Sequence, residues 1–265
     1  MDLSVTGAKI YFKIPFLFGT EIRITQTTIS LLVVTIILIT AAYFLGRNLK
    51  KRPGRLQVIT EKGVTMLYGL VEETMGKHNL KFAPYIGALL LSSFAGSLIG
   101  TTQLFRSTTA DLSVTLAWAL VTSVMVWYSN IKNFGFVAWL KGFTEPVVVM
   151  TPMNIVSEIA QPISLAFRHF GNVAGGGVLT SLVYAALAAL SNLLFGWLPG
   201  LLGSLPFMQA GIPAFLSIYF DLFSGFVQAL VFSLLTMVYV GSANPPPEEI
   251  PERPKKKAKF NASDI

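Results

Sequence analysis

The sequence is short of charged residues and contains no cysteine. Of its 265 residues, 12% are Asp, Glu, Lys or Arg, about half the share of a soluble domain, and 53% are hydrophobic. Between positions 82 and 244, only eight of 163 residues carry a charge. A water-exposed surface cannot be built from so few charges, so the sequence predicts a membrane protein with several spans. The lack of cysteine excludes disulfide bonds, thiolate metal ligands and a cysteine nucleophile.

The net charge of +7 is concentrated in two basic clusters. Residues 47–55 contain five bases and no acid, directly after an apolar run, and residues 253–259 contain five more after the last apolar run. Bases at the ends of spans are typical of cytoplasmic loops, which argues against nucleic-acid binding. We therefore expect the N-terminus outside and the C-terminus in the cytoplasm. Charges interrupt the first 23 residues, so these predict an external segment rather than a cleavable signal peptide.

The apolar pattern predicts an all-α membrane protein with about five membrane-embedded helices. Two of these helices are much longer than the roughly 20 residues of an upright span, so we expect them to form a strongly tilted hairpin. Small residues at Gly96 and Gly100 favour a close helix contact. The expected segments of the single membrane domain are an external segment at 1–23, a first transmembrane helix at 24–46, a cytoplasmic basic stretch with an amphipathic interfacial helix at 47–83, second and third transmembrane helices at 84–130, a cytoplasmic loop at 131–151, long helices at 152–195 and 212–241, and a disordered basic tail at 242–265.

Three ionisable residues lie inside otherwise apolar predicted helices: Glu158, Arg168 and Asp221. Charges within a membrane are costly, so these residues are functional candidates. At about 100° per residue, each long helix carries one polar or small stripe. The first stripe contains Ser157, Gln161, Ser164, Arg168, Asn172 and Gly175, and the second contains Ser217, Asp221, Ser224, Gly225 and Gln228. We expect the two stripes to face each other, water or a mobile partner.

The three charges can do different chemistry. Arginine keeps its proton in proteins, so Arg168 is suited to act as a fixed positive charge but not as a proton relay. Glu158 and Asp221 can titrate, and their separation along the helices from Arg168 suits two different aqueous entrances. The pattern predicts an ion path in two halves with an electrostatic barrier between them.

Four stretches of the chain resemble subunit a of the F-type ATP synthases. The most specific is SEIAQPISLAFRHFGNVAGG at 157–176, which is similar to the arginine-centred signature of that family. The others are TADLSVTLAWAL at 109–120, PMNIVSE at 152–158, and the Asp221-to-Gln228 spacing in DLFSGFVQALVFSLLTMVY. The resemblance covers about residues 85–240 and the first span.

The resemblance implies a role for each of the matching positions. Arg168 corresponds to the stator arginine that faces the carboxylates of the c-subunit ring, and Asn172 and Gln228 to polar residues beside that contact. Glu158 corresponds to the titratable group of the half-channel open to the cytoplasm, and Asp221 to that of the half-channel open to the other side. Further polar positions expected along the path or at the ring contact are Gln161, Ser164, Ser217, Ser224 and His169.

The chain departs from the family pattern at three positions. Some relatives have Glu where this chain has Gly177 and His where it has Asp221, so the acid has moved to the second long helix. His169 stands where Leu is usual.

The resemblance also implies how the protein works and with which partners. The implied partners are the c-ring, the peripheral-stalk subunit b, the remainder of the synthase and membrane lipids, without nucleic acid. The implied location is a bacterial plasma (inner) membrane. The chain carries no GxxxxGK[ST] motif, so ATP chemistry would belong to other subunits and this chain would not be an enzyme alone. No cofactor or metal is expected, and the sequence does not decide between H⁺ and Na⁺.

Two other functions are open at this point. An ion-coupled secondary transporter would show inverted repeats with helices broken at matching places, and the five unequal passages show neither. A structural subunit of a membrane assembly would have small-residue packing faces without aligned charges. Glu158, Arg168 and Asp221 argue against that second alternative.

Overall fold

The computed structural model describes residues 10–15, 21–47, 49–102, 105–195 and 218–249. Short 3₁₀ segments stand at Lys77–Phe82, Thr108–Ala110, Val148–Met150 and Pro247–Glu249, and a π-helical turn spans Ile218–Phe223. The α-helices in these ranges are α1 Gln26–Arg47, α2 Arg55–Met75, α3 Ala83–Thr101, α4 Leu112–Phe134, α5 Phe136–Gly142, α6 Thr151–Phe195 and α7 Ser224–Ser242. The tail after 249 and the predicted start of the last helix at 212–217 lie outside the described residues.

A β-hairpin precedes α1, in a region for which the sequence predicts only an external segment. Strand β1, Ile10–Pro15, pairs antiparallel with β2, Glu21–Thr25. The sequences IYFKIP and EIRIT alternate apolar with other residues, which is the two-residue period of a strand. An ion pair of 3.6 Å between Lys13 and Glu21 joins the strands. The alternation in these two stretches is therefore a strand signal that is present in the sequence.

Five helical stretches of the described chain are long and apolar enough to cross a membrane. They are Gln26–Arg47, Lys77–Gly100, Leu112–Phe134, Val148–Leu194 and Ser224–Ser242. The predicted all-α membrane architecture is therefore confirmed. Helix α6 continues for 45 residues through Pro162, which corresponds to about 68 Å, against about 30 Å of membrane core. The orientation of α6 in the membrane stays a prediction.

The core lies where four helices meet. Leu89 of α3, Ala119 of α4, Leu165 and Ala166 of α6, and Phe232 of α7 form one buried cluster. These contacts involve one face of α6 only. The predicted polar stripe lies beside this face: Ser157, Ser164, Arg168 and Asn172 are exposed, and Gln161 is half-buried.

One end of the bundle, here called the basic end, adjoins residues 47–55. The C-terminal part of amphipathic α2 packs there, with Val71 and Met75 buried against α3 and α7. Asn79 donates to the carbonyl of Asn244 at 2.9 Å, and Asn133 donates to that of Ala243 at 2.8 Å. These two amides hold in place the residues that directly follow α7, which ends at Ser242.

The opposite end, here called the far end, contains the connection between α3 and α4. A Cβ atom added to Gly96 would lie 2.0 Å from Thr108 Oγ1, and one added to Gly100 would lie 2.7 Å from Ser107 Cβ. The two glycines do make a close contact, as their spacing predicts. Their partner is the connecting segment and not another helix.

Candidate functional site

The exposed face of α6 carries Arg168. Ser164, Arg168 and Asn172, spaced four residues apart, are all exposed, and Gln161 is half-buried one turn earlier. A Cβ added to Gly171 or Gly175 would meet no atom within 4 Å. The arginine therefore stands on an open, low-relief surface that this chain does not cover with its own described residues.

His169, the next residue along, points into the bundle. It is completely buried, and its Nε2 atom lies 3.0 Å from Ser93 Oγ of α3. Its ring also contacts Trp118 of α4 and Phe232 of α7, with ring centroids 6.2 and 5.2 Å away. His169 therefore joins α6 to three other helices, while its neighbour Arg168 faces outward.

A hydrogen bond joins the two polar stripes. Asn172 Nδ2 donates to Gln228 Oε1 at 2.6 Å, and Gln228 is only 4% exposed. Ser224, one turn earlier on α7, is half-buried. Of the three expected alternatives, contact between the stripes occurs at Asn172 and Gln228, beside the surface that carries Arg168.

Asp221 belongs to the π-helical turn that precedes α7. Its side chain and the whole of Ser217 lie outside the described residues. The sequence predicts a uniform α-helix here, whereas the backbone of Ile218–Phe223 forms a π-helical turn. Single π-turns within helices are frequently found at functional sites.

Glu158 is half-buried on α6, and the indole nitrogen of Trp127 on α4 donates to its Oε1 atom at 2.5 Å. Pro162, four residues later, has no N–H to donate to the backbone carbonyl of Glu158. The side chain of Glu158 is thus fixed by a neighbouring helix, and its own helix lacks one hydrogen bond at that turn.

A cavity of about 660 Å³ opens beside Glu158. Its lining is mixed polar and aromatic: Asn130, Phe134, Ala138, Trp139, Gly142, Phe143, Glu145, Asn154, Ser157 and Glu158. Asn154 donates to the carbonyls of Phe143 and Glu145 at 2.8 and 3.0 Å, which holds the loop at the rim. A separate crevice of about 10 Å³ also adjoins Glu158 and is lined by Gln161 and Pro162 among others.

The carboxylate at the cavity can bind and release protons or small cations, but the described residues do not form a site for a resident metal. Within the described ranges, no three His, Cys, Asp or Glu side chains converge. The structure brings together a carboxylate at a polar cavity, a fixed exposed cation and an interhelical amide pair.

The family model for the ATP synthase A chain matches residues 27–241 of this sequence. The chain belongs to this family. Among its curated relatives, the sodium-ion-specific ATP synthase subunit a of Propionigenium modestum is 31% identical, over 89% of this chain and 84% of that protein.

Two further family members have a similar sequence identity to this chain. ATP synthase subunit a 1 of Crocosphaera subtropica is 32% identical over 83% of this chain and 87% of that protein. ATP synthase subunit a of Bacillus velezensis is 31% identical over 84% and 93%. Each of the three alignments covers most of both chains, so the predicted resemblance is confirmed.

Two residues of the site, Trp127 and Ser93, carry no sequence signal that links them to a titratable group. Trp127 lies in an apolar helix, and nothing in its neighbourhood marks it as a partner of Glu158, 31 positions later. Ser93 is one of several small residues on α3, where serine is also a packing residue. Only the arrangement of the helices in space connects each of them to a titratable group.

Proposed function

We propose that this chain is the ion-translocating stator subunit of an F-type ATP synthase, with two offset half-channels that meet a c-ring. The observation that carries the proposal is the exposure of Arg168 on an open face of α6. An arginine cannot lose its proton, so it is suited to hold the ring's carboxylate in its ionised form.

The surface around Arg168 suits a moving helical partner. The exposed glycines Gly171 and Gly175 leave room for close approach, and Asn172 is held by Gln228 beside them. Small residues let helix backbones approach closely in membranes. We infer that the c-ring slides over this surface, while subunit b and the rest of the synthase hold the chain still.

The two titratable groups are proposed to serve opposite sides. Glu158 lies at the cavity of the basic end, which fits a half-channel from the cytoplasm. Asp221 is proposed for the half-channel from outside, near the far end. The N-terminus is then external, the C-terminus cytoplasmic, and the membrane a bacterial inner membrane.

The proposed cycle is rotary. An ion enters through one half-channel and neutralises a ring carboxylate, which can then face lipid. The ring turns until Arg168 favours the ionised carboxylate again, and the ion leaves through the other half-channel. The field supplies about 2.3 kcal/mol per charge for every 100 mV. The ion is a proton or Na⁺, since the relatives include a sodium-specific subunit.

The test is ion-driven ATP synthesis by the whole complex in proteoliposomes, with passive ion leak measured in parallel. Arg168→Ala is expected to abolish synthesis while the complex still assembles, and a raised leak would mark Arg168 as the barrier between half-channels. Arg47→Ala removes an arginine from the basic end and is the matched control, expected to keep synthesis near wild type. Coupled synthesis by Arg168→Ala would show that the stator role is wrong.

A further inference from the structure

Helix α1 joins the bundle only through its first half. Its buried residues are Thr27, Ser30 and Val34, which share one face near its N-terminal end. From Thr35 to Arg47, every residue is exposed or half-buried. The second half of α1 is therefore not packed closely against the described part of the chain.

A cavity of about 1070 Å³ lies between this second half of α1 and the helices α2 and α3. Leu38, Ala42 and Leu45, which follow one another at helical spacing, line it from α1. Val64 of α2 and Leu91 of α3 line it from the other sides, and both are exposed. Aliphatic walls favour a hydrocarbon occupant over water.

The length of the cavity matches one leaflet of a membrane. Along the helical part of α1 it extends from Thr35 to Gly46, which corresponds to about 17 Å at the rise of an α-helix. The hydrocarbon layer of one leaflet is about 15 Å thick. The last lining residue on this side is Leu49, so the residues that follow it lie where the headgroups of that leaflet begin.

Four bases follow the cavity at the basic end. All four are exposed, and no ion pair among the described residues involves any of them. They are Lys50, Lys51, Arg52 and Arg55, here called the basic turn. Arg47 is not included, because its guanidinium group stands over the ring of Tyr43, 5.6 Å from the centroid. An anionic group at the mouth of the cavity would therefore meet several positive charges at once.

The basic turn is fastened to α2. Gln57 accepts from the backbone N–H of Lys50 at 3.0 Å and donates to its carbonyl at 3.1 Å. The same amide group donates at 2.7 Å to the carboxylate of Glu61, the acid in the cavity lining. The bases are thus held near the cavity by a defined turn, and the carboxylate of Glu61 is bonded to Gln57.

We propose that this cavity binds one anionic diacyl phospholipid, with its acyl chains between α1, α2 and α3 and its phosphate at the basic turn. Basic pockets between transmembrane helices bind anionic lipid headgroups. The guanidinium groups of Arg52 and Arg55 can each hold a phosphate through two parallel hydrogen bonds. The lipid replaces the protein contacts that the second half of α1 lacks. The site goes beyond the proposed function and does not rest on the role of Arg168.

A helix of a partner subunit fits the cavity less well than acyl chains do. A helix of about 20 residues, about 30 Å long and about 10 Å wide, occupies roughly 2,400 Å³. That is more than twice the cavity of about 1070 Å³. Acyl chains are flexible and can fill an irregular space that is too small for a helix.

The first test is photolabelling of the whole complex in phosphatidylcholine vesicles. These contain a minor share of phosphatidylglycerol that carries a photoreactive group on one acyl chain. Mass spectrometry should find the label on the lining residues of α1, α2 and α3. Photoreactive phosphatidylcholine should label them about tenfold less, because it offers the bases no net charge.

Two outcomes of this test would overturn the proposal. Equal labelling by the two lipids would show that the site does not select an anion. Absence of label from the lining residues would show that a partner's helix, or no lipid at all, occupies the cavity.

The second test removes the charge at the mouth. Lys50→Gln, Lys51→Gln and Arg52→Gln in one chain should lower labelling by phosphatidylglycerol about tenfold. The matched control combines Lys255→Gln, Lys256→Gln and Lys257→Gln, which removes the same charge from the other basic cluster and should label like wild type. Unchanged labelling of the first variant, or an equal loss in both, would contradict a site at the basic turn.

The third test fills the cavity. Gly46 lines it, and a Cβ added there would meet no atom within 4 Å, so Gly46→Phe should lower the labelling severalfold. Gly63→Phe is the matched control, since Gly63 of α2 is equally open but lies outside the lining. Wild-type labelling of Gly46→Phe would show that the acyl chains do not enter the cavity. The measured quantity is lipid labelling in all three tests, so a failure here leaves the proposed function of Arg168 untouched.

Discussion

The polar regions at the two ends of the bundle differ in how much space they enclose. Around Glu158, side chains line a cavity of about 660 Å³ that has room for many water molecules. Around His169, the polar groups bond directly to one another and are completely buried. Serine contributes to both regions, at Ser157 and at Ser93, so its presence does not set the difference.

The arrangement of the neighbouring helices produces this difference. Near Glu158, the short α5 and the loop after it stand away from α6 and leave the cavity. Near His169, four helices converge and glycine allows close contact. We therefore expect mutations in the open region to change the rate of ion transfer, and mutations in the closed region to change stability as well.

The largest effect is expected at the carboxylate of the open region. Glu158→Gln removes the titratable group at the cavity and should slow ion-driven ATP synthesis about 100-fold, as for the loss of a positioned proton-transfer group. Glu145→Gln is the control, because Glu145 lines the same cavity without the bond to Trp127. Equal rates for the two variants would contradict a special role for Glu158.

The closed region should respond chiefly in stability. His169→Leu leaves the buried hydroxyl of Ser93 without its partner and removes ring contacts to Trp118 and Phe232, at a cost of about 2 kcal/mol. The measurement is the temperature at which the purified complex inactivates. Unchanged thermal inactivation would mean that the two regions do not differ in the way proposed.

Trp127→Phe, in the open region, should change the rate of ATP synthesis and leave thermal stability nearly unchanged. The ring remains, but the hydrogen bond that orients Glu158 is lost, and water in the cavity can take its place. We expect ATP synthesis about fivefold slower, which corresponds to about 1 kcal/mol, with the inactivation temperature close to wild type. A large thermal shift without a change in rate would assign Trp127 a packing role.

The smallest effect is expected at the rim of the cavity. Asn154→Ala removes two hydrogen bonds to the carbonyls of Phe143 and Glu145, and should loosen that loop by about 1 kcal/mol. Hydrogen exchange of the amides at 143–145 reports this opening. Asn130→Ala is the control, since Asn130 lines the cavity but donates to neither carbonyl, and its variant should exchange like wild type.

The sequence is informative where a property repeats along one helix. Apolar runs predict the spans, and the four-residue spacing of Ser164, Arg168 and Asn172 predicts a face that the structure leaves exposed. The same reasoning leaves open whether the stripes of α6 and α7 face each other, water or a mobile partner, and the bond between Asn172 and Gln228 shows that they meet at that point. These features depend on the geometry of a single helix or of two adjoining ones.

Features that depend on the register between helices are not visible in one sequence. The periodicity does not show that His169 faces Ser93, 76 positions earlier, or that Trp127 reaches Glu158. The π-helical turn at Ile218–Phe223 is also missed, because its apolar residues fit an α-helix equally well. The hairpin before α1 is missed for a different reason, since its strands of six and five residues carry only a short alternation.

The support at the two ends of α7 has a mechanical consequence. The residues directly after its last turn are fastened by the amide groups of Asn79 and Asn133, and its first turn continues from the π-helical turn, which packs against α3 and α6. A sideways load on α7 is therefore shared between both of its ends, like that on a beam supported at each end.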